Sequence, residues 1–214
     1  MQQTNPSILV GVPTRTYVQA QTVTTLFSLT GTPNVRIALA VSLGSVIADK
    51  RNKICKQAIE RGDDYVFFVD SDVQFPPDTL TKLLALDKDI VGAMCYRTYE
   101  PFEPNLTEKV THKGQALLLV PKKWDREKAF KCWSVGTGTM LIKVSVLKAL
   151  QEKLHEEWFR FGKIDGIPAG EDVWFCNQAG QAGFEVWCDP TIDTKHWDNY
   201  GFGRNEYDAA HGIE

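Results

Sequence analysis

The sequence predicts an α/β fold, with a mostly parallel central sheet flanked by helices in a single domain. Apolar runs of strand length alternate with helical periods through the first half of the chain, the βαβ pattern that builds parallel sheets. One run, Tyr65-Val66-Phe67-Phe68-Val69, is apolar throughout, as a strand buried on both faces must be. The length of 214 residues, 43% of them hydrophobic, suits one sizeable core and is too short for two comfortable ones.

The elements follow in order. Residues 8–12 are apolar and stop at Pro13-Thr14-Arg15, a first strand and its exit loop. Residues 35–41 are a second strand. Residues 46–61 carry Ile47, Ile54, Ala58 and Ile59 at helical spacing, and Gly62 suits the stop. After the Tyr65 strand, Pro76-Pro77-Asp78 opens a short helix through Leu86. Residues 89–94 form another strand. The second half is less regular. Residues 96–114, rich in Pro, Glu and Thr, read as a long loop, a class that often carries function. Strands are expected at 116–120 and 139–143, then a helix capped by Ser145 through Leu154. A further helix should run from near Gly170 to near Gly180, with a last strand at 184–188. The tail from Trp197 mixes Trp, Tyr, Phe, Gly and Arg without a clear period.

The bulk properties exclude some classes. A net charge of -3 argues against a broad electrostatic grip on nucleic acid. Residues 1–6 are polar and lack the basic and apolar regions of a signal peptide. No apolar run approaches the roughly 20 residues of a membrane span. A soluble, cytoplasmic protein is expected. The five cysteines are scattered, with no C-x-x-C pair, and read as reduced core residues rather than zinc ligands or disulfides.

The Tyr65 strand ends abruptly in Asp70-Ser71-Asp72. Ligands of open α/β sheets gather just beyond the carboxyl ends of such strands. Two carboxylates there repel each other, but they seat a hard cation, Mn²⁺ or Mg²⁺, whose shell substrate phosphates and water complete. The plain alternative is a strand end whose aspartates cap the turn. Glu171-Asp172 precedes a helix; first-turn carboxylates suit the helix dipole, and one held near a hydroxyl is equally a general base. His196 precedes the aromatic tail, where a neutral imidazole can complete a metal shell begun by carboxylates. Arg51 and Asn52 read as the polar side of the helix whose Ile54 and Ala58 face the core. They are either a solvated face or contacts to a diphosphate, for which arginine offers a planar fork of donors. Arg15 is a similar candidate. Gly136-Thr137-Gly138-Thr139 suggests tight backbone beside a ligand or at a bend.

Val10-Gly11-Val12-Pro13, Arg51-Asn52, Phe68-Val69-Asp70-Ser71-Asp72, Gly136-Thr137-Gly138-Thr139-Met140-Leu141, Gly170-Glu171-Asp172-Val173 and a late His196 stand in an order that resembles glycosyltransferase family 2 and its relatives of the GT-A fold. The resemblance implies a Rossmann-like single domain, with a nucleotide-binding half over about 8–95 and an acceptor half with a C-terminal lid over about 96–214. It implies a nucleotide-diphosphate sugar donor, a UDP-sugar first, and a hexosyltransferase-type reaction on an acceptor hydroxyl, with inversion. By the same resemblance Asp172 is the general base, and Asp70, Asp72 and His196 hold the metal. Pro13, Thr14, Arg15, Arg51, Asn52, Asp70, Ser71 and Gly138 then line the donor site. Residues 42–44, Ser-Leu-Gly, lack the acidic residue that family members often place after the second strand. The resemblance therefore leaves the nucleotide open, and with it the acceptor.

Two other readings compete. A strand ending in D-x-D-V also resembles haloacid-dehalogenase-type phosphatases, with Asp70 as nucleophile, although there the motif normally opens the chain. A non-catalytic carbohydrate-binding module would keep the aromatic tail without requiring Asp172.

Overall fold

The structure, a computed structural model, describes residues 5–154, 157–198 and 201–213. Strand β1 (Ser7–Thr14) is buried along its whole length and is followed by helix α1 (Ala20–Ser28). Strand β2 (Arg36–Leu43), helix α2 (Ile47–Arg61) and strand β3 (Tyr65–Val69) complete the βαβ unit. β1 lies between β2 and β3 and is parallel to both. Gly62 ends α2 in the left-handed conformation, with its N–H on the Ile59 carbonyl.

Strand β4 (Val73–Gln74), helix α3 (Thr79–Ala85) and strand β5 (Ile90–Ala93) come next. A hairpin of β6 (Leu106–His112) and β7 (Gln115–Leu119) follows. Then come β8 (Phe130–Cys132), β9 (Ser134–Val135), β10 (Thr139–Lys143) and helix α4 (Val144–Leu154). A short hairpin of β11 (Gly162–Ile164) and β12 (Ile167–Ala169) leads to helix α5 (Glu171–Gln181). Strands β13 (Val186–Asp189), β14 (Lys195–Trp197) and β15 (Gly201–Phe202) and helix α6 (Arg204–His211) close the described chain.

The seven-stranded sheet has the order β2-β1-β3-β10-β5-β13-β8. β10 is antiparallel to both neighbours and β8 to its one, so the other five strands share one direction. Apolar clusters cover both faces. β3 sends Phe68 to one, edge-on to Phe159, and Phe67 to the other, edge-on to Phe75. Burial on both sides is why the Tyr65 run carries no alternation.

The short strands β4, β8, β9, β11, β12, β14 and β15 were not expected, and α4 begins at Val144, so Ser145 lies inside its first turn rather than capping it. Three further departures have a clear local cause. Residues 106–112 are a strand rather than part of a loop. β6 is mostly exposed and carries Glu, Lys and His, so its apolar signal is weak. Its pairing with β7 comes from the turn at Lys113-Gly114, where both φ angles are positive as a tight hairpin turn requires. α1 was not expected because its three threonines are poor helix formers. α6, in the tail that showed no period, is a short, polar helix that packs mainly through Tyr207. Among the described residues no helix is long and apolar enough to cross a membrane.

Candidate functional site

The C-terminal ends of β1 and β3 open on a polar cavity of about 330 Å³. Thr14, Arg15, Ser71, Asp72, His196 and Trp197 are among its walls. Pro13 does not line it; this residue is buried in β1 opposite Ser42. Thr14 donates its hydroxyl to the Tyr17 carbonyl, which folds the exit loop over the cavity and leaves Arg15 exposed at its mouth.

Asp70, Ser71 and Asp72 form a tight turn between β3 and β4, closed by the Val73 N–H on the Asp70 carbonyl at 3.2 Å. The Asp70 N–H donates to the Gly138 carbonyl at 3.0 Å, so the start of β10 braces the turn. Gly138 lies against the same carboxylate: a Cβ there would sit 3.4 Å from Asp70 Oδ2. Gly136 answers a packing demand instead, since a Cβ would come within 2.8 Å of the Asn105 side chain.

The two aspartates face different partners. Asp72 points into the cavity, with Oδ1 3.4 Å from His196 Nε2. Strand pairing sets this approach, because β14 runs antiparallel to β4 with His196 opposite Val73. His196 Nδ1 lies 3.0 Å from the Tyr96 carbonyl, which only accepts, so Nδ1 carries the proton. In the neutral ring the Nε2 lone pair is then aimed at Asp72. Burial opposes a charge on His196, but the bond to Asp72, its charge, the Tyr96 carbonyl and Asp70 outweigh it and raise the pKa above the ordinary histidine value.

Asp70 is turned to Arg51, whose Nη2 donates to Oδ1 at 2.7 Å. The other arm of the guanidinium pairs with Glu171, the first residue of α5. Asp70, Asp72 and His196 therefore do not converge on one point, and among the described residues no group of three or more His, Cys, Asp or Glu could hold a metal ion. Arg51 is 3% exposed. Burial opposes its charge, and Asp70, Glu171 and Asp172 more than offset this, holding its pKa above the ordinary value.

Arg51 and Asn52 are thus not on a solvated face of α2. Ala48, Arg51, Asn52, Cys55 and Ala58 recur at three- and four-residue spacing and form the buried stripe. Charge alone pointed the wrong way; a buried charge is tolerated where partners compensate it. Asn52 is engaged at both ends of its amide, with Nδ2 on the Phe159 carbonyl at 2.7 Å and Oδ1 accepting the Phe159 N–H at 3.0 Å. It clamps backbone.

Asp172 follows Glu171 in the first turn of α5 and accepts the Val173 N–H at 2.7 Å. Burial raises its pKa despite the opposing charge of Arg51, and burial does the same to Glu171. A carboxylate with a raised pKa holds a proton more readily, which suits proton transfer near neutral pH. Arg51 joins the turn after β3 to the start of α5, two points 101 residues apart in sequence. Two contributors owe their roles to the fold. Glu171 entered only as a candidate beside Asp172, and nothing in the order of residues could have marked the Tyr96 carbonyl.

Fold and site together define an α/β protein of the GT-A type, with a carboxylate-bearing turn at the end of a central strand. The model of the family described as "Glycosyl transferase family 2" matches residues 46–159, more than half of the chain. The protein belongs to this family and is a glycosyltransferase. Asp70-Ser71-Asp72, Arg51 and Gly138 fall inside the matched segment; Asp172 and His196 lie beyond it. Among solved structures, the crystal structure of A197 from STIV superposes with a TM-score of 0.60 at 15% identity, over 94% of this chain and 91% of that one. That likeness is one of fold. No curated protein matches the sequence. With Asp70 bonded to a buried arginine and family 2 membership established, the phosphatase reading has no support.

Proposed function

We propose that the protein transfers a hexose from a nucleoside-diphosphate sugar, a UDP-sugar first, to an acceptor hydroxyl with inversion, Asp172 acting as general base. The observation that carries this reading is Arg51, which couples the Asp70-Ser71-Asp72 turn to the Glu171-Asp172 turn within one buried ion-pair network. Donor-side and acceptor-side carboxylates are thereby held in register. Asp172 removes the proton of the attacking hydroxyl, and its raised pKa fits that task. Arg15, exposed at the cavity mouth, offers a charged fork to the diphosphate, and Thr14 and Ser71 wall the same cavity.

The donor set facing the cavity fits a divalent cation. The Asp72 carboxylate and His196 Nε2 face each other across 3.4 Å, and the Tyr96 carbonyl fixes the imidazole tautomer as carbonyl partners of metal-bound histidines do. One carboxylate and one imidazole suit Mn²⁺ better than Mg²⁺, which favours oxygen ligands. Two protein ligands make an incomplete shell, in keeping with a cation that arrives with a diphosphate. When bound, such a cation neutralises charge on the departing nucleoside diphosphate.

Thermal-shift titration with nucleoside diphosphates, each with and without Mn²⁺, tests the reading. A ligand at 100 times its Kd stabilises by about 2.7 kcal/mol, or roughly 5–10 °C for a chain of this size. The expected result is a metal-dependent shift with one nucleoside diphosphate that Asp72→Ala and His196→Ala abolish. If no nucleoside diphosphate moves the midpoint under either condition, the donor assignment is wrong.

A further inference from the structure

The two edges of the central sheet are built differently. β8 is three residues long and carries the exposed Lys131, paired with Glu185 at 2.9 Å. Short length and a lysine are common ways to blunt an edge against pairing. β2 is eight residues long and, among the described residues, pairs only with β1. Beyond Arg36 it has no charge and no proline. Its register with β1 is unbroken from Arg36 to Leu43, so no bulge turns the edge away.

The ladder shows which backbone groups are left over. The Arg36 N–H donates to the Pro6 carbonyl at 2.9 Å, and alternate residues of a parallel strand face the same neighbour. Ala38, Ala40 and Ser42 therefore face β1 with Arg36, while the N–H and C=O groups of Ile37, Leu39, Val41 and Leu43 point away from the sheet. The side chains of these four share one face. Leu39, Val41 and Leu43 are each more than half exposed, and α1 adds Val23 and Phe27, the latter 77% exposed. An apolar groove of about 640 Å³ runs between α1 and β2.

The exposed side chains present apolar surface on the order of 400 Å². The open backbone edge of the eight-residue strand adds to this, so that the patch grows toward the roughly 800 Å² per partner of a standard interface. A lipid surface could cover the side chains but would leave the edge N–H and C=O groups without partners. Another strand satisfies both.

We propose that a second copy of this chain docks on β2 in antiparallel orientation and continues the sheet across a two-fold axis. A register centred on Ala40 suits the sequence. It sets Leu39 opposite the second copy's Val41 and Ile37 opposite its Leu43, apolar pairs on the groove face. Every outward N–H then meets a carbonyl. Ala40 meets its own equivalent, small against small, and Arg36 falls opposite Gly44, so like charges do not face one another. An interface of this kind is self-complementary and closes at two subunits.

Sedimentation of the whole chain over a range of concentrations tests the proposal, with folding of each variant checked by circular dichroism. The wild type should sediment at twice the monomer mass. Leu39→Pro and Val41→Pro each remove an outward N–H and leave the β1 ladder intact, as edge-strand proline allows. Each should weaken the dimer about 100-fold, because symmetry doubles every lost bond. Leu39→Lys should do the same without a backbone change. Ala40→Cys tests the register, since facing non-hydrogen-bonded residues lie about 4.5 Å apart, within disulfide reach, and oxidation should give a covalent dimer. A monomer at every concentration overturns the proposal, as does a dimer that survives all three edge substitutions. A monomer that co-floats with lipid vesicles overturns it in favour of a membrane surface.

Discussion

Replacing Arg51 with methionine would remove the charge that joins β3 to α5 while keeping most of the buried volume. Breaking a buried ion pair costs about 3–5 kcal/mol, because the remaining charge stays uncompensated. Asp70 keeps 27% of its side-chain surface and Glu171 keeps 12%, so solvent relieves part of this and the lower end, about 3 kcal/mol, applies. For a chain of this length that is a fall in melting temperature of about 6–12 °C. Arg51→Lys keeps the charge but loses the fork, and should recover about half. The penalty should also depend on pH. Glu171 and Asp172 already have raised pKa values from burial, and Arg51 is the opposing influence on both. Without it they rise further. A carboxylate raised in the folded state takes up protons on folding, so its ionisation costs stability as pH increases through the raised value. The methionine variant should therefore lie closest to wild type at acidic pH and fall behind as the carboxylates ionise. Differential scanning calorimetry across that range is the measurement. A variant that melts within about 2 °C of wild type at neutral pH would show that Arg51 does not carry the coupling.

Two further outcomes follow from the same geometry. Asp172→Asn should lower kcat by about 10²–10⁴-fold with little change in donor KM. The acid limb of the wild-type kcat profile should have its midpoint above the ordinary aspartate value of about 3.9, because burial raises this carboxyl; a midpoint at or below that value contradicts the assignment of Asp172 as the base. Asn52→Ala strips both bonds from the Phe159 backbone and should cost about 1–3 kcal/mol. Steady-state kinetics should find its donor KM unchanged, whereas a diphosphate contact through Asn52 would raise it.

Much of the architecture was legible in the order of residues. The Tyr65 strand, the α2 boundaries with the Gly62 stop, and β10 at residues 139–143 follow from apolar runs and punctuating glycines, which report burial and backbone geometry locally. The strand β6 was not legible, because an exposed, charged strand owes its form to a partner and a turn. Carboxylates at the end of a central strand were visible for the same local reason: Asp70-Ser71-Asp72 interrupts an apolar run.

The partners of those carboxylates were a different matter. That Asp70 answers to Arg51, and Asp72 to His196, depends on α2 crossing beneath the end of β3 and on β14 pairing with β4. Arg51 and Asn52 carry polar side chains, so their own chemistry pointed to solvent; only the fold brings Glu171 and the Phe159 backbone to them as buried partners. Sequence by itself determined where strands end and which side chains could do chemistry, since those are properties of short segments. The tertiary structure decided which charges meet, because a charge is stabilised by whatever the fold brings within a few ångströms of it, however far away it lies in the chain.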